Sequence, residues 1–99
     1  MIDFSGIVGF DWDAGNARKN ERHGVSQVEA EQVFFDPQLQ AMDDTKNSVT
    51  ELRYIAFGMT GEGRALQVVF TLRASGTLIR VISARDMNRR ERKVYESQN

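Results

Sequence analysis

There is no cysteine in this chain. Disulfide cross-links and thiolate chemistry are therefore excluded, and a reducing compartment fits. Histidine occurs once, at position 23, and with no thiolate beside it a zinc site is not expected. Proline also occurs once, with eight glycines, which argues against a disordered or fibrous chain. No apolar run reaches membrane-spanning length. The opening "MIDFSGIVGFDWD" carries acids where a secretion signal needs a basic region. These absences predict one cytoplasmic domain over residues 1–99, without metal or cofactor and without contact with a membrane. A chain of this size buries roughly two-thirds of its unfolded surface, enough for one core.

What the sequence does contain is charge, unevenly placed. Residues 1–60 hold five Lys or Arg against ten Asp or Glu, and residues 61–99 hold eight against four. The net charge of -1 thus hides a basic C-terminal part suited to phosphate or to an acidic partner.

"IVGFDW" (7–12) reads as a short first strand. Asp13 stands at a helix N-cap position before "AGNARKNERH", and Gly24 suits the left-handed residue beyond that helix. Ser26 and Glu29 form a capping box opening a second helix, whose apolar face holds Ala30, Val33 and Phe34 and which Asp36-Pro37 ends. "LQAM" (39–42), "TELRYIAFGM" (50–59), "RALQVVFTLR" (64–73) and "TLIRVISAR" (77–85) read as strands. A polar turn over 43–48 and the short connections "TGEG" and "ASG" favour antiparallel hairpins. "MNRRERKVYES" (87–97) closes as a polar helix. The order β-α-α-β-β-β-β-α predicts an α+β fold: an antiparallel sheet of about four to five strands with helices on one face.

The strand patterns mix apolar residues with arginines on both faces. Leu66, Val68, Phe70 and Leu72 form one row, and Gln67, Val69, Thr71 and Arg73 the other. Arg80 shares a face with Leu78 and Ile82, and Glu51 and Arg53 share one with Ile55 and Phe57. Two readings stand side by side. The guanidinium groups hold a phosphate, for which their fork is shaped, or they form ordinary surface ion pairs, such as Glu51 with Arg53. His23 is equally double. Imidazole is the usual acid–base group, yet this one sits where it would cap a helix C-terminus. Helix termination is the preferred reading, and catalysis by His23 the alternative.

"FDWD…ARKNERHGVS", "EAEQVFFDP", "ELRYIAFG", "VVFT…IRVISAR" and "RRERKVYE" together resemble the BrnT toxins of type II toxin–antitoxin systems, from Phe10 to Glu96. Ala14, Arg22 and Gln27 depart from the family pattern, where proline, lysine and an aromatic are usual. The resemblance implies a RelE-like ribonuclease fold and an endoribonuclease that needs no metal. It also implies inhibition of translation and silencing by a BrnA-type ribbon-helix-helix antitoxin, through which alone operator DNA is contacted. Such cleavage uses the RNA's own 2′-hydroxyl as nucleophile. The protein must supply a base, positive charge around phosphorus and a proton for the leaving oxygen.

Within that expectation Glu51 is the candidate base, and Arg53 and Arg85 are the first choices for holding the phosphate. Arg73, Arg80 and Lys19 are the candidate RNA-binding cations. Phe70 and Trp12 are read as core residues, and Tyr95 as a packing residue with a tethered hydroxyl. The competing function is an inactive homologue that only binds antitoxin and co-represses, since fold does not guarantee activity. Direct DNA binding by the basic last helix is a weaker third reading.

Overall fold

The computed structural model describes residues 2–46 and 50–98. The chain runs β1 (Gly9–Phe10), α1 (Ala14–Arg22), α2 (Gln27–Val33), β2 (Gln40–Asp43), β3 (Tyr54–Met59), β4 (Ala65–Arg73), β5 (Leu78–Asp86) and α3 (Arg89–Ser97). This is the expected α+β order. Part of the expected 43–48 turn, residues 47 and 48, lies outside the described residues.

The strands form one sheet in the order β1-β5-β4-β3-β2. The four later strands pair antiparallel, and the connections between β3 and β4 and between β4 and β5 are short, as hairpins allow. β1 joins β5 in parallel, so the sheet is mixed rather than wholly antiparallel. It is also shorter than its apolar run: after Phe10 only the Asp11 N–H continues the ladder, to the Ile79 carbonyl. The chain then turns into α1, whose Asn16 Nδ2 donates to the Val81 carbonyl at 2.8 Å and to that of Asp11 at 3.0 Å. A side-chain amide thus serves the edge carbonyl of β5 in place of a further strand residue.

The local signals read from sequence hold. Asp13 caps α1 and Ser26 caps α2, each in a reciprocal capping box. His23 is the C-cap of α1, and Gly24 follows at φ 69, a left-handed conformation that glycine adopts without Cβ strain. α1 is unusual in that the residues it buries are two asparagines, Asn16 and Asn20. Asn16 docks it by hydrogen bonds, whereas the buried Asn20 amide has no hydrogen-bond partner among the described residues.

The core lies on the face carrying Ala56, Leu66, Val68, Phe70, Val81 and Ala84, covered by Val25, Ala30 and Val33 of the α2 region. Phe34 meets Phe70 edge-on at 5.0 Å between ring centres. Phe70 is fully buried and Trp12 packs against the core, its indole N–H donating to Glu31 at 2.7 Å. α2 covers this face as expected. α3 instead touches the opposite face, where its Glu91 reaches Gln67 and Arg85.

Tyr95 is buried, and its hydroxyl donates to Asp36 Oδ2. Asp36 also accepts the N–H groups of Gln38 and Met59. Burial, and then the bond to Asp36, push the Tyr95 phenol up to about 12. Burial would raise Asp36, but its three hydrogen bonds outweigh that and hold it below the usual value. One carboxylate so ties the end of α2 to β3 and to α3.

Gly58 is the tightest point between α2 and the sheet. A Cβ there would lie 2.9 Å from Val33 Cγ1 and 3.0 Å from the Val33 carbonyl oxygen. Backbone cannot yield as a side-chain tip can, so Gly58→Ala should cost about 1–3 kcal/mol. Urea denaturation measures the loss, and a midpoint equal to the parent's would contradict it.

Candidate functional site

β4 and β5 are out of simple register at one point. Val69 pairs with Ser83 and Phe70 with Val81, leaving Ile82 without an opposite number. Such a bulge reverses the alternation beyond it. Arg80, opposite Thr71, and Arg85, opposite Gln67, consequently share one face, although five positions separate them. Arg73, opposite Leu78, belongs to the same row.

Glu51 and Arg53 precede β3 and do not lie on it, contrary to the strand expected from residue 50. Their segment is fastened to this face by the Thr71 hydroxyl, which donates to the Leu52 carbonyl at 2.6 Å. The Arg53 carbonyl accepts the Asp44 N–H at 2.8 Å. α1, docked by Asn16 along β5, closes the other side.

Between them lies a cleft of about 250 Å³ lined by Gly15, Asn16, Lys19, Glu51, Arg53, Arg80 and Ile82. Four of the residues selected from sequence, Lys19, Glu51, Arg53 and Arg80, therefore meet in one place. Arg73 stands beside it, its Nη1 donating to Glu51 Oε2 at 2.6 Å. The ion pair anticipated between Glu51 and Arg53 is thus made by Glu51 with Arg73 instead. Arg85 does not line the cleft. Its guanidinium grips Glu91 with two bonds of 2.8 Å, roughly 15 Å along the strand from Arg80. His23 does not line it either; it is exposed, with no hydrogen bond to its imidazole among the described residues.

Arg80 is held by acids that spacing could not suggest. Its Nη1 lies 3.0 Å from Asp13 Oδ2 and 3.5 Å from Asp11 Oδ2, and its Nη2 lies 3.2 Å from Asp13 Oδ1. The bond from Arg80, with the Asn16 N–H next, holds the Asp13 carboxyl below its ordinary value. Asp13 likewise holds Arg80 above its own, against the effect of desolvation. Glu91 is lowered chiefly by Arg85.

The arrangement offers three cations around one carboxylate, a set able to neutralise a phosphodiester and accept a proton beside it. A larger cleft of about 420 Å³, walled by Phe4, Phe10, Phe34, Phe35 and Ile79, contains no titratable side chain and offers no such chemistry. Among the described residues no cluster of three or more His, Cys, Asp or Glu is placed to hold a metal ion. Among the described residues no helix is long and apolar enough to cross a membrane.

Residues 12–91 match the model of the ribonuclease toxin BrnT of type II toxin–antitoxin systems. The chain belongs to the BrnT family. No curated protein matches the sequence. The BrnT match begins at Trp12 and ends at Glu91, so it includes every residue of the cleft and excludes the end of α3. Membership carries the general activity of the family, a ribonuclease acting as a toxin and paired with an antitoxin. Asp11, Asp13 and Asn16 were not identified as site residues from sequence. Asp13 had a sufficient explanation as a helix cap, and its partner Arg80 lies 67 positions away.

The carboxylates of Asp13, Glu29, Asp36, Asp86 and Glu91 are all lowered on folding. Their unfolded counterparts, which titrate near 4, therefore take up protons first as pH falls. The stabilisation they contribute is complete above about pH 5 and is lost through pH 4 and below. Urea midpoints measured from pH 7 to pH 3 should fall in that window, and a flat profile would remove these pairs from the stability of the fold.

Proposed function

We propose that this protein is a metal-independent endoribonuclease that cleaves RNA through the substrate's 2′-hydroxyl and so inhibits translation. The observation that carries this reading is the convergence of Lys19, Arg53 and Arg80 on Glu51 in one cleft. Glu51 takes the proton of the 2′-hydroxyl as its oxygen attacks phosphorus. Arg53 and Arg80 offset the charge that grows on the phosphorane oxygens. Lys19 delivers a proton to the departing 5′-oxygen, leaving a 2′,3′-cyclic phosphate and a free 5′-hydroxyl. Arg73 orients Glu51 through their 2.6 Å contact. Arg85 lies farther along the same face, where it anchors α3 through Glu91 and borders the path of the RNA. His23 ends α1 and takes no part in the chemistry.

The partner in this reading is a BrnA-type ribbon-helix-helix antitoxin, which alone touches operator DNA. The cytoplasm, where the RNA is, is the place of action. A second reading is favoured by the ion pairs themselves: Glu51 is engaged by Arg73 and Arg80 by Asp13. A site so neutralised suits a homologue that has kept antitoxin binding and lost cleavage.

Incubation of purified protein with RNA in EDTA separates the two. The enzyme reading expects cleavage to survive chelation and to leave cyclic phosphate ends. Arg53→Ala and Arg80→Ala should each lower the rate about 10²- to 10³-fold, and Glu51→Gln about 10²- to 10⁴-fold. Folding should be retained, and growth arrest relieved on expression. His23→Ala should cleave like the parent. Parental rates in both arginine variants would remove the cleft from the mechanism.

A further inference from the structure

Asp13 has two bonding duties. Oδ1 caps α1, accepting the N–H groups of Gly15 at 2.9 Å and Asn16 at 3.2 Å. Oδ2 faces Arg80 Nη1 at 3.0 Å, and Oδ1 also accepts from Arg80 Nη2 at 3.2 Å. The cap alone requires no charge, because asparagine or serine serves a helix N-terminus as well. The second contact is therefore unexplained by helix capping.

The anchor is unusually firm. Asn16 accepts the Asp13 N–H at 2.7 Å and joins α1 to the Asp11 and Val81 carbonyls, so the segment bearing Asp13 is bonded to the strand next to Arg80. Asp11, whose N–H is bonded to the Ile79 carbonyl at 2.8 Å, flanks the same Nη1. A guanidinium has two forks of donors, a terminal one at Nη1 and Nη2 and a lateral one at Nε and Nη2. Asp13 occupies the terminal fork. Among the described residues nothing accepts from Nε, and Arg80 lines the cleft with Lys19 and Arg53.

We infer that Asp13 is a positioning residue for phosphate recognition, clamping the terminal fork of Arg80 so that its lateral fork meets a phosphodiester in the cleft. This rests on the phosphate-binding reading given above. An unclamped arginine has many rotamers to lose on binding, whereas a clamped one is already oriented. The guanidinium stands between Asp13 and the phosphate, so their mutual repulsion is largely offset. Asp11 assists by keeping Nη1 in place.

The test is a double-mutant cycle on the full chain with Asp13→Asn, Arg80→Ala and the pair. The readouts are RNA cleavage and the binding of an oligonucleotide carrying a 2′-deoxy residue at the scissile position. Asn retains the cap, so thermal stability should stay near the parent's; Asp13→Ser supplies the same test should Asn fold poorly. Asp13→Asn should lower the cleavage rate roughly ten- to hundredfold and weaken oligonucleotide binding. Neither quantity should fall further when Asp13→Asn is added to Arg80→Ala. Parental behaviour of Asp13→Asn, tighter binding, or equal losses in both backgrounds would each overturn the inference while leaving the cleft intact. Absence of cleavage in the parent, with the binding cycle still coupled, would reject the ribonuclease reading and keep the clamp. An Arg80→Ala variant that binds and cleaves like the parent would overturn both.

Discussion

Ile82 has no opposite number on β4, and this one unpaired residue governs which arginines can act together. In an unbroken strand, positions 80 and 85 point to opposite faces, because side chains alternate with period two. The extra residue resets the alternation, so the row through Arg73, Arg80 and Arg85 lies on one side and the apolar row through Ile79, Val81 and Ala84 on the other. A cationic surface and a dry core are thus obtained from the same two strands. The remaining elements are placed with respect to that division, α2 on the apolar side and the N-terminal turn of α3 on the cationic one.

α2 is fixed to this sheet by its apolar face, and polar contacts at the helix ends secure all three helices. Asn16 fastens α1 to the open edge of β5, Asp36 gathers the end of α2, β3 and Tyr95 of α3, and Glu91 clasps Arg85. Arg64 bonds Asp86, Glu29 and the Gly24 carbonyl, joining β5 to the approach to α2. A small domain has limited apolar surface to bury, and charge-assisted hydrogen bonds compensate where they are partly shielded from water. The same contacts make the cleft, since Lys19 and Asp13 reach it only because α1 is docked against β5.

The proposed function rests on how the cleft arranges its charges. The cations are not free in solution but are held by acids, Arg80 by Asp13 and Arg73 by Glu51. Such pairing limits the motion of long side chains and leaves donors disposed toward a ligand. In the proposed function, this is how a BrnT-family protein with a net charge of -1 offers cations to a phosphate. Asp11 and Asp13 flank Arg80, and Lys19, Arg53 and Arg80 line the cleft around Glu51.

The sequence by itself determined the local structure. Asp13, Ser26 and Asp36-Pro37 marked the helix limits, "TGEG" and "ASG" the hairpins, and the apolar row from Leu66 to Leu72 the core face, because capping, turn geometry and alternation act over a few residues. Lys19, Glu51, Arg53 and Arg80 were picked out from sequence as residue types that phosphate chemistry needs, and the structure brings these four to one cleft. Only the tertiary structure decided that β1 pairs in parallel, that Glu51 and Arg53 lead into a strand instead of lying on it, and that Arg85 of β5 pairs with Glu91 of α3 and does not line the cleft. It alone joined Asp13 to Arg80 across 67 positions. Those outcomes depend on strand register and on contacts between distant segments, and a one-residue bulge or a side-chain amide at a sheet edge leaves no periodic trace in the chain.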